Sequence, residues 1–352
     1  MKRAPTLNDV AELAKVSRSL ASLVFQDSPK VSATSRAAVL KAADKLGYQP
    51  NESARRLKSS VTNTIGVVLT DIHNPYYGGI FYGIESAASE LDYKLLIGNS
   101  GFESDELNQK PERIRSRQLD TLRIIRSQMV DGIICSSLRT TPQELRAAAK
   151  TSPVVLIGHS SNTLLKDFDI VVTDEQNGAA QVIDHLTDFG HKRISHISGG
   201  VDEGPAVRTK SFLNEMKRRG LSQYAKVYEG AWSQEAGYTR TGDILNEKTL
   251  PTAIFAGNDL IAMGVLARLQ EAGLKVPTDI SVIGFNDSAL AQLRISDLTS
   301  VKEPLFIMGR TGFEILISRI ENKGKKFVPK NVKIKPELVV RSSTGPRKKG
   351  AK

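Results

Sequence analysis

Apolar residues in the first 60 positions recur at helical spacing in three short runs, and nothing there alternates as a strand does. Leu7, Val10, Ala11 and Leu13 define the first run. Thr6 stands where a cap belongs, and Asp9, three residues on, is its reciprocal partner. After the tight turn Ala14, Lys15 and Val16, Ser17 caps a second run through Phe25. The segment Asp27-Ser-Pro-Lys30 breaks the chain. Ser32 opens a third helix to Leu46, with Ala38, Val39, Ala42, Ala43 and Leu46 inward and Gly47 as terminator. Gly47-Tyr-Gln-Pro50 reads as a linker, followed by a helix-capable piece over 51–58 and polar residues to Asn63.

From Ile65 the pattern changes. Apolar strands at 65–70, 94–98, 132–135, 154–158, 170–172, 194–198, 253–256 and 281–285 are separated by amphipathic helical stretches. This alternation predicts parallel sheets with helices on both faces. The stretch is too long for one sheet, so two Rossmann-like subdomains with a cleft between them are expected. The predicted organisation is an all-α helix-turn-helix head over 1–50, a hinge helix and linker over 51–60, an α/β core over 61–342 and a basic tail over 343–352. Within the core, one subdomain takes 61–173 and 301–327, and the other takes 174–300 and 328–342.

Charge sharpens this picture. The chain carries a net +11, and residues 1–60 hold 11 Lys/Arg against 5 Asp/Glu. Arg347, Lys348, Lys349 and Lys352 make the tail basic, which leaves the core nearly neutral. A basic head on a neutral body points to a polyanionic partner. The one cysteine, Cys135, cannot form an internal disulfide, which suits a reducing compartment. With no apolar signal region after Met1 and no apolar run of about 18 residues, a cytoplasmic protein without membrane contact is expected. The histidines His73, His159, His185, His191 and His196 fit no zinc spacing, phosphate-loop and G-x-S-x-G signatures are absent, and the pairs Gly78-Gly79 and Gly199-Gly200 are isolated. No enzymatic role, cofactor or metal is therefore expected.

Two short helices joined by a three-residue turn form a helix-turn-helix candidate, with a generic three-helix bundle as the alternative. The second helix would enter a major groove, presenting Arg18, Ser19 and Ser22 to base edges and Leu20 and Leu23 to thymine methyls, while Val24 and Phe25 face the head's own core. The runs Thr6-Leu-Asn-Asp-Val-Ala-Glu-Leu-Ala-Lys-Val-Ser17, Pro29-Lys-Val-Ser32, Leu46-Gly-Tyr-Gln-Pro-Asn51 and Ala54-Arg-Arg-Leu57 closely resemble the LacI/GalR family of bacterial regulators. Later landmarks extend the resemblance over nearly the whole chain: Asp71-Ile-His-Asn-Pro-Tyr-Tyr77, Pro251-Thr-Ala-Ile-Phe-Ala-Gly-Asn-Asp259 and Ile283-Gly-Phe-Asn-Asp287.

The resemblance implies a homodimeric transcription regulator, a repressor by preference, that binds a pseudo-palindromic operator in double-stranded DNA and answers to a small effector. It adds Thr6, Leu7 and Ser17 to the DNA-contacting set. It also makes the 51–57 piece a hinge helix in the minor groove, with Asn51, Ala54 and Arg55 at the DNA and Leu57 as the wedge that kinks it. The local physics agrees, because an eight-residue helix falls short of the roughly 12–15 residues that hold a helix together alone in water. Such a helix folds only against a partner, which makes it a usable switch. The head departs from the family at Lys15, where a small residue is usual, and at Leu20 and Leu23, where Thr and Arg are usual, so Arg18 and Ser19 should carry more of the readout.

The core resembles a periplasmic sugar-binding-protein fold, whose ligands sit between two lobes outside the carboxyl ends of the strands. The resemblance assigns Asn74, Tyr76, Tyr77, Arg208, Trp232, Asn258, Asp259, Asn286 and Glu303 to that cleft. Aromatic faces for C–H surfaces beside amide, carboxylate and guanidinium groups for hydroxyls suit a sugar or related polyol. One of the two tyrosines should face the ligand. Relatives carry Asp at Asn286 and Gln at Glu303, so the donor–acceptor map of this cleft should be its own. The segment 102–115 reads as a surface insertion, and His159 as a strand-end residue. Two rivals remain: an exported sugar-binding protein, against which the basic head argues, and a regulator that answers to a partner protein.

Overall fold

The computed structural model describes residues 3, 5–48, 61–101, 111–138, 140–150, 152–158, 164–200 and 203–347. The chain forms two compact units, 1–62 and 63–352. The hinge residues Asn51, Ala54, Arg55 and Leu57, the loop 102–110, His159 and the tail from Lys348 onward lie outside the described residues.

Among its described residues the first unit has three helices, α1 (Leu7–Leu13), α2 (Arg18–Phe25) and α3 (Ala33–Leu46). Thr6 and Asp9 form the complete capping box. The Ser17 and Ser32 hydroxyls accept from the backbone N–H groups of Leu20 and Ser35, and Gly47 ends α3 at φ 64°. Val10, Ala11, Ala21, Val24, Val39, Ala42 and Ala43 make the small core. Arg36 on α3 reaches back to Asp27 at 2.5 Å and donates to the Ser28 carbonyl at 2.9 Å, fixing the turn that follows α2.

The turn between α1 and α2 explains one departure noted in the sequence. Lys15 sits at φ 55°, a left-handed conformation that costs a residue with a Cβ about 1–2 kcal/mol. A glycine there removes that cost and adds back less than about 1 kcal/mol of unfolded-state entropy. Lys15→Gly should therefore stabilise the head by up to about 1 kcal/mol, read as a higher denaturant midpoint of the isolated first unit, provided its slope is unchanged.

The second unit holds two six-stranded sheets, each flanked by helices. The first sheet runs β11-β5-β4-β3-β1-β2, from β1 (Thr64–Leu69), β2 (Lys94–Asn99), β3 (Gly132–Ser136), β4 (Val154–Ile157), β5 (Asp169–Thr173) and β11 (Asn331–Ile334), all parallel. The second runs β12-β10-β9-β8-β6-β7, from β6 (Ile194–Ser198), β7 (Ala225–Glu229), β8 (Ala253–Ala256), β9 (Ser281–Asn286), β10 (Thr299–Lys302) and β12 (Glu337–Val339), with only β12 antiparallel. The helices are α4 (Pro75–Glu90), α5 (Pro111–Ser127), α6 (Pro142–Ala149) and α11 (Leu305–Glu321) in the first lobe, and α7 (Glu175–Asp188), α8 (Glu203–Arg218), α9 (Gln234–Leu245) and α10 (Asp259–Glu271) in the second. No described helix is long and apolar enough to cross a membrane.

Each lobe is held by a close helix pair built in the same way. A Cβ on Gly83 of α4 would lie 2.0 Å from the Phe306 carbonyl of α11, and one on Gly309 of α11 would lie 2.0 Å from the Ile80 carbonyl. In the second lobe Gly237 and Gly264 do the same for α9 and α10, at 2.1 and 2.0 Å from the Ile261 and Gln234 carbonyls. Backbone thus packs on backbone at both places, which only glycine permits.

The boundaries inside the core differ from the sequence-based expectation. The segment 328–342 divides: Asn331–Ile334 extends the first sheet beside β5, and only Glu337–Val339 joins the second. Val301 and Lys302 belong to β10 of the second sheet, so the chain returns to the first lobe at 303–304 rather than before 301. Of the 102–115 stretch, residues from Pro111 onward belong to α5. The chain therefore crosses between the lobes three times, after Thr173, after Lys302 and after Ile334.

Candidate functional site

On the head, α2 leaves Arg18 and Ser19 exposed at its N-terminal turn. Ser22 is half-buried and accepts from the Gln26 side chain at 3.2 Å. Leu20 and Leu23 are half-buried against the head's own core, so each has only an outer edge to offer a thymine methyl. Thr6 is committed to its cap, donating to Asp9 Oδ2 at 2.7 Å, and Leu7 packs on the core. Phe25 and Val24 face inward as expected. The polar groups free to read bases are thus those of Arg18 and Ser19, with the exposed Ser17 beside them.

In the second unit, strand order reverses between β1 and β3 in one sheet and between β6 and β8 in the other, the place where open α/β sheets bind ligands. A buried charged cluster gathers at the carboxyl ends of these strands. Arg208 of α8, 6% exposed, donates through Nε to Glu175 Oε2 at 2.8 Å and through Nη2 to Glu175 Oε1 at 2.7 Å. Its Nη1 donates to the Gly257 carbonyl at 2.5 Å, and its Nη2 lies 3.6 Å from Glu303 Oε2. The guanidinium stacks on the Phe285 ring, Cζ 3.5 Å from the centroid, with Trp232 5.6 Å away.

Glu303 lies just past β10, on the second crossing between the lobes. The Thr173 hydroxyl, on the first crossing, donates to Glu303 Oε1 at 2.5 Å, and Asn286 Nδ2 donates to Oε2. Asn286 is carried there by a left-handed turn, with φ 102° at Asn286 and 52° at Asp287. One carboxylate on the second crossing therefore ties the end of β5 in the first lobe to the end of β9 in the second. Burial pushes the Glu303 carboxyl up to about 7, even though Arg208 pulls it down. A carboxyl held more tightly folded than unfolded makes stability fall as pH rises from its ordinary value near 4.5 towards about 7. The stability of the wild type relative to Glu303→Gln should accordingly decline across that interval, measured by denaturant unfolding of the two chains side by side. A flat difference would mean that Glu303 titrates normally.

Tyr76 faces this cluster from the first lobe. A Cβ on Gly158 would lie 2.4 Å from its hydroxyl oxygen and 2.9 Å from Ser137 Oγ, so glycine makes room for the ring. Burial, reinforced by Glu303 and Glu175, holds the Tyr76 hydroxyl protonated well above its ordinary range. Trp232 lies over the end of β6: a Cβ on Gly199 would meet its ring at 2.2 Å, and one on Gly257 at 3.2 Å.

The remaining candidates make contacts within their own lobes. Tyr77 belongs to the first-lobe core and meets Tyr76 edge to face at 5.2 Å. Asn74 caps α4 through the Tyr76 N–H at 3.1 Å, and Asn258 caps α10 through the Ile261 N–H at 2.8 Å. Asp259 accepts from the Ser300 hydroxyl and the Ser288 N–H, both at 2.6 Å, so its two oxygens brace β10 and the loop after β9. Burial pushes that carboxyl up to about 6 against these bonds. The structure thus gathers Tyr76, Arg208, Trp232, Asn286 and Glu303, and holds Tyr77, Asn74, Asn258 and Asp259 in packing, capping and bracing contacts. It adds Thr173, Glu175 and Phe285, which the sequence reading missed. The only signal for Glu175 was its place in the first turn of the helix after a strand.

Comparison with known proteins bears on both units. Residues 6–51 match the model of bacterial regulatory proteins of the lacI family, and residues 183–344 match a periplasmic binding protein-like domain. Catabolite control protein A of Priestia megaterium is 32% identical over 314 residues, covering 88% of this chain and 91% of the relative. This chain belongs to the LacI family. The repressor PurR of Vibrio vulnificus (strain CMCP6) is 31% identical over 96% of the chain and 98% of its own length. The lac repressor dimer bound to operator and the anti-inducer ONPF superposes with a TM-score of 0.82 at 26% identity, covering 97% of this chain and all of that one. The CelR–cellobiose complex superposes with a TM-score of 0.67 at 27% identity, over 96% and 99% of the two chains. As a LacI-family protein the chain is a DNA-binding transcription regulator and not an enzyme. The α/β core expected from strand–helix alternation is the one observed.

Proposed function

We propose that this LacI-family regulator is a cytoplasmic homodimeric repressor whose operator affinity is set by a sugar or related polyol in the interlobe cleft. The observation that carries the reading is the Thr173–Glu303–Asn286 bridge with Arg208 against it, because it joins a cluster of polar and charged side chains to the strands that cross between lobes. A polyol that takes hydrogen bonds from this bridge favours one lobe arrangement over another, which is all that a switch requires. Arg208, Asn286 and Glu303 receive hydroxyls, while Tyr76 and Trp232 offer aromatic faces to C–H surfaces. The relative solved with cellobiose supports a carbohydrate.

On DNA, each head sets α2 in a major groove of a pseudo-palindromic operator, and Asn51, Ala54, Arg55 and Leu57 form the hinge that bends its centre. Effector binding in the cleft acts through this hinge segment and releases the operator. Dimerisation is supported by large apolar side chains left in the open: Tyr82 and Ile307 on α4 and α11, exposed by 64% and 53%, and Ile295, exposed by 94%. A carbohydrate panel tested by thermal unfolding of the full chain checks the ligand class. Stabilisation that grows with the concentration of a sugar is expected. A panel that leaves the melting temperature unmoved would favour a regulator that answers to a partner protein.

A further inference from the structure

We infer that the effector presents a protonated amine beside its hydroxyls, received between Glu303 and Glu175. This rests on the polyol reading of the same cleft and narrows it. The cluster holds two carboxylates and one guanidinium. Arg208 is committed to Glu175 by two hydrogen bonds of 2.7 and 2.8 Å, and Glu303 receives only its outlying edge at 3.6 Å. The other partners of Glu303, the Thr173 hydroxyl and the Asn286 amide, are neutral. Cations beside the site already have carboxylates of their own: Lys333 lies 3.0 Å from Asp174, and Arg341 lies 2.7 Å from Asp287.

Glu303 is therefore a buried carboxylate, 5% exposed, without a full counter-charge. Burial raises its proton affinity, and the neighbouring Glu175 adds to that rise while Arg208 opposes it. An ammonium supplies the missing charge, and its three N–H donors meet carboxylate lone pairs that the protein leaves open. A phosphate or carboxylate placed here would face two carboxylates across one guanidinium that is already paired with Glu175. A neutral hydroxyl would be accepted but would leave the charge uncompensated. The ligand class is thus an amino sugar or amino polyol, with anionic sugars rejected.

The test uses the full chain in phosphate buffer, since Tris is itself an amino polyol. Binding is measured by calorimetry for matched sets of glucose, galactose and mannose, their 2-amino-2-deoxy forms and their 6-phosphates. In at least one set the amino sugar should bind about tenfold to a hundredfold tighter than its neutral parent, as expected for a charged hydrogen bond, and the phosphate ester should not bind. Glu303→Gln should weaken the amino sugar more than its neutral parent, bringing the ratio of their affinities to about one. If that variant fails to fold, Glu175→Gln should reduce the same advantage. Neutral sugars that bind as well as their amino forms would overturn the inference and leave the polyol reading standing, as would tightest binding by a phosphate ester. No binding by any sugar of the panel would overturn both.

Discussion

Replacing Arg208 with methionine should destabilise the core by about 3–5 kcal/mol and abolish the response to effector. Methionine keeps much of the volume against Phe285, so the loss is chiefly electrostatic. Glu175 and Glu303 would remain buried without the guanidinium that now pairs one and edges the other. Removal of one partner from a buried ion cluster costs far more than the cluster's net contribution, because the partners left behind stay desolvated. The defect should shrink as pH falls, since protonation of Glu303 removes one charge from the unpaired cluster. The triple variant Arg208→Met, Glu175→Gln, Glu303→Gln should recover much of the lost stability but none of the effector response. Denaturant unfolding of the three chains and calorimetric titration with a bound sugar read both effects. A methionine variant as stable as the wild type would mean that the cluster is not the electrostatic centre of the cleft.

Arg18→Ala should weaken operator binding by about 1–3 kcal/mol and relax the base preference at one position in each half-site. The reasoning is local. The α2 helix offers few groups to a base edge, because Leu20 and Leu23 lean on the head core and Ser22 is half-buried. Arg18 is the exposed cation at the N-terminal turn, the part of a recognition helix that meets bases. A selection from random duplexes, run with wild type and variant at one fixed salt concentration, separates loss of specificity from loss of charge. A uniform drop at all sequences would make Arg18 a phosphate contact. An unchanged preference and affinity would remove it from the interface.

The head was legible in the sequence almost residue by residue, because caps and small-residue cores are local signals. Thr6, Asp9, Ser17, Ser32 and Gly47 each do what their spacing predicts. The eight apolar strands were legible for the same reason, since buried parallel strands read as continuous apolar runs. The strands that escaped are β7, β10, β11 and β12, which are short and rich in lysine, glutamate or threonine. Three of them are edge strands, where burial no longer writes a pattern. Missing β11 is what displaced the lobe boundary near 328.

The cleft was legible only as a neighbourhood. Sequence position put Asn74, Asn258 and Asp259 at strand ends, where a ligand contact and a helix cap look alike. Only the direction of the side chain separates them, and here each turns to its own backbone or to a brace. Glu175 was invisible because its role depends on Arg208, 33 positions away. A pair of that kind is made by packing, not by any local pattern. Asn286 and Glu303, 17 positions apart in the chain, hydrogen-bond to each other, a pairing that no local pattern announces.

The central claim is that ligand occupancy of the cleft alters DNA affinity. It is tested most directly by equilibrium binding of the full chain to a palindromic duplex recovered by selection, with and without the sugar that stabilises it most. The predicted result is a fall in affinity of about tenfold or more at saturating sugar, together with an equal fall in sugar affinity when DNA is bound. An operator affinity that does not move while the sugar is demonstrably bound would contradict the account.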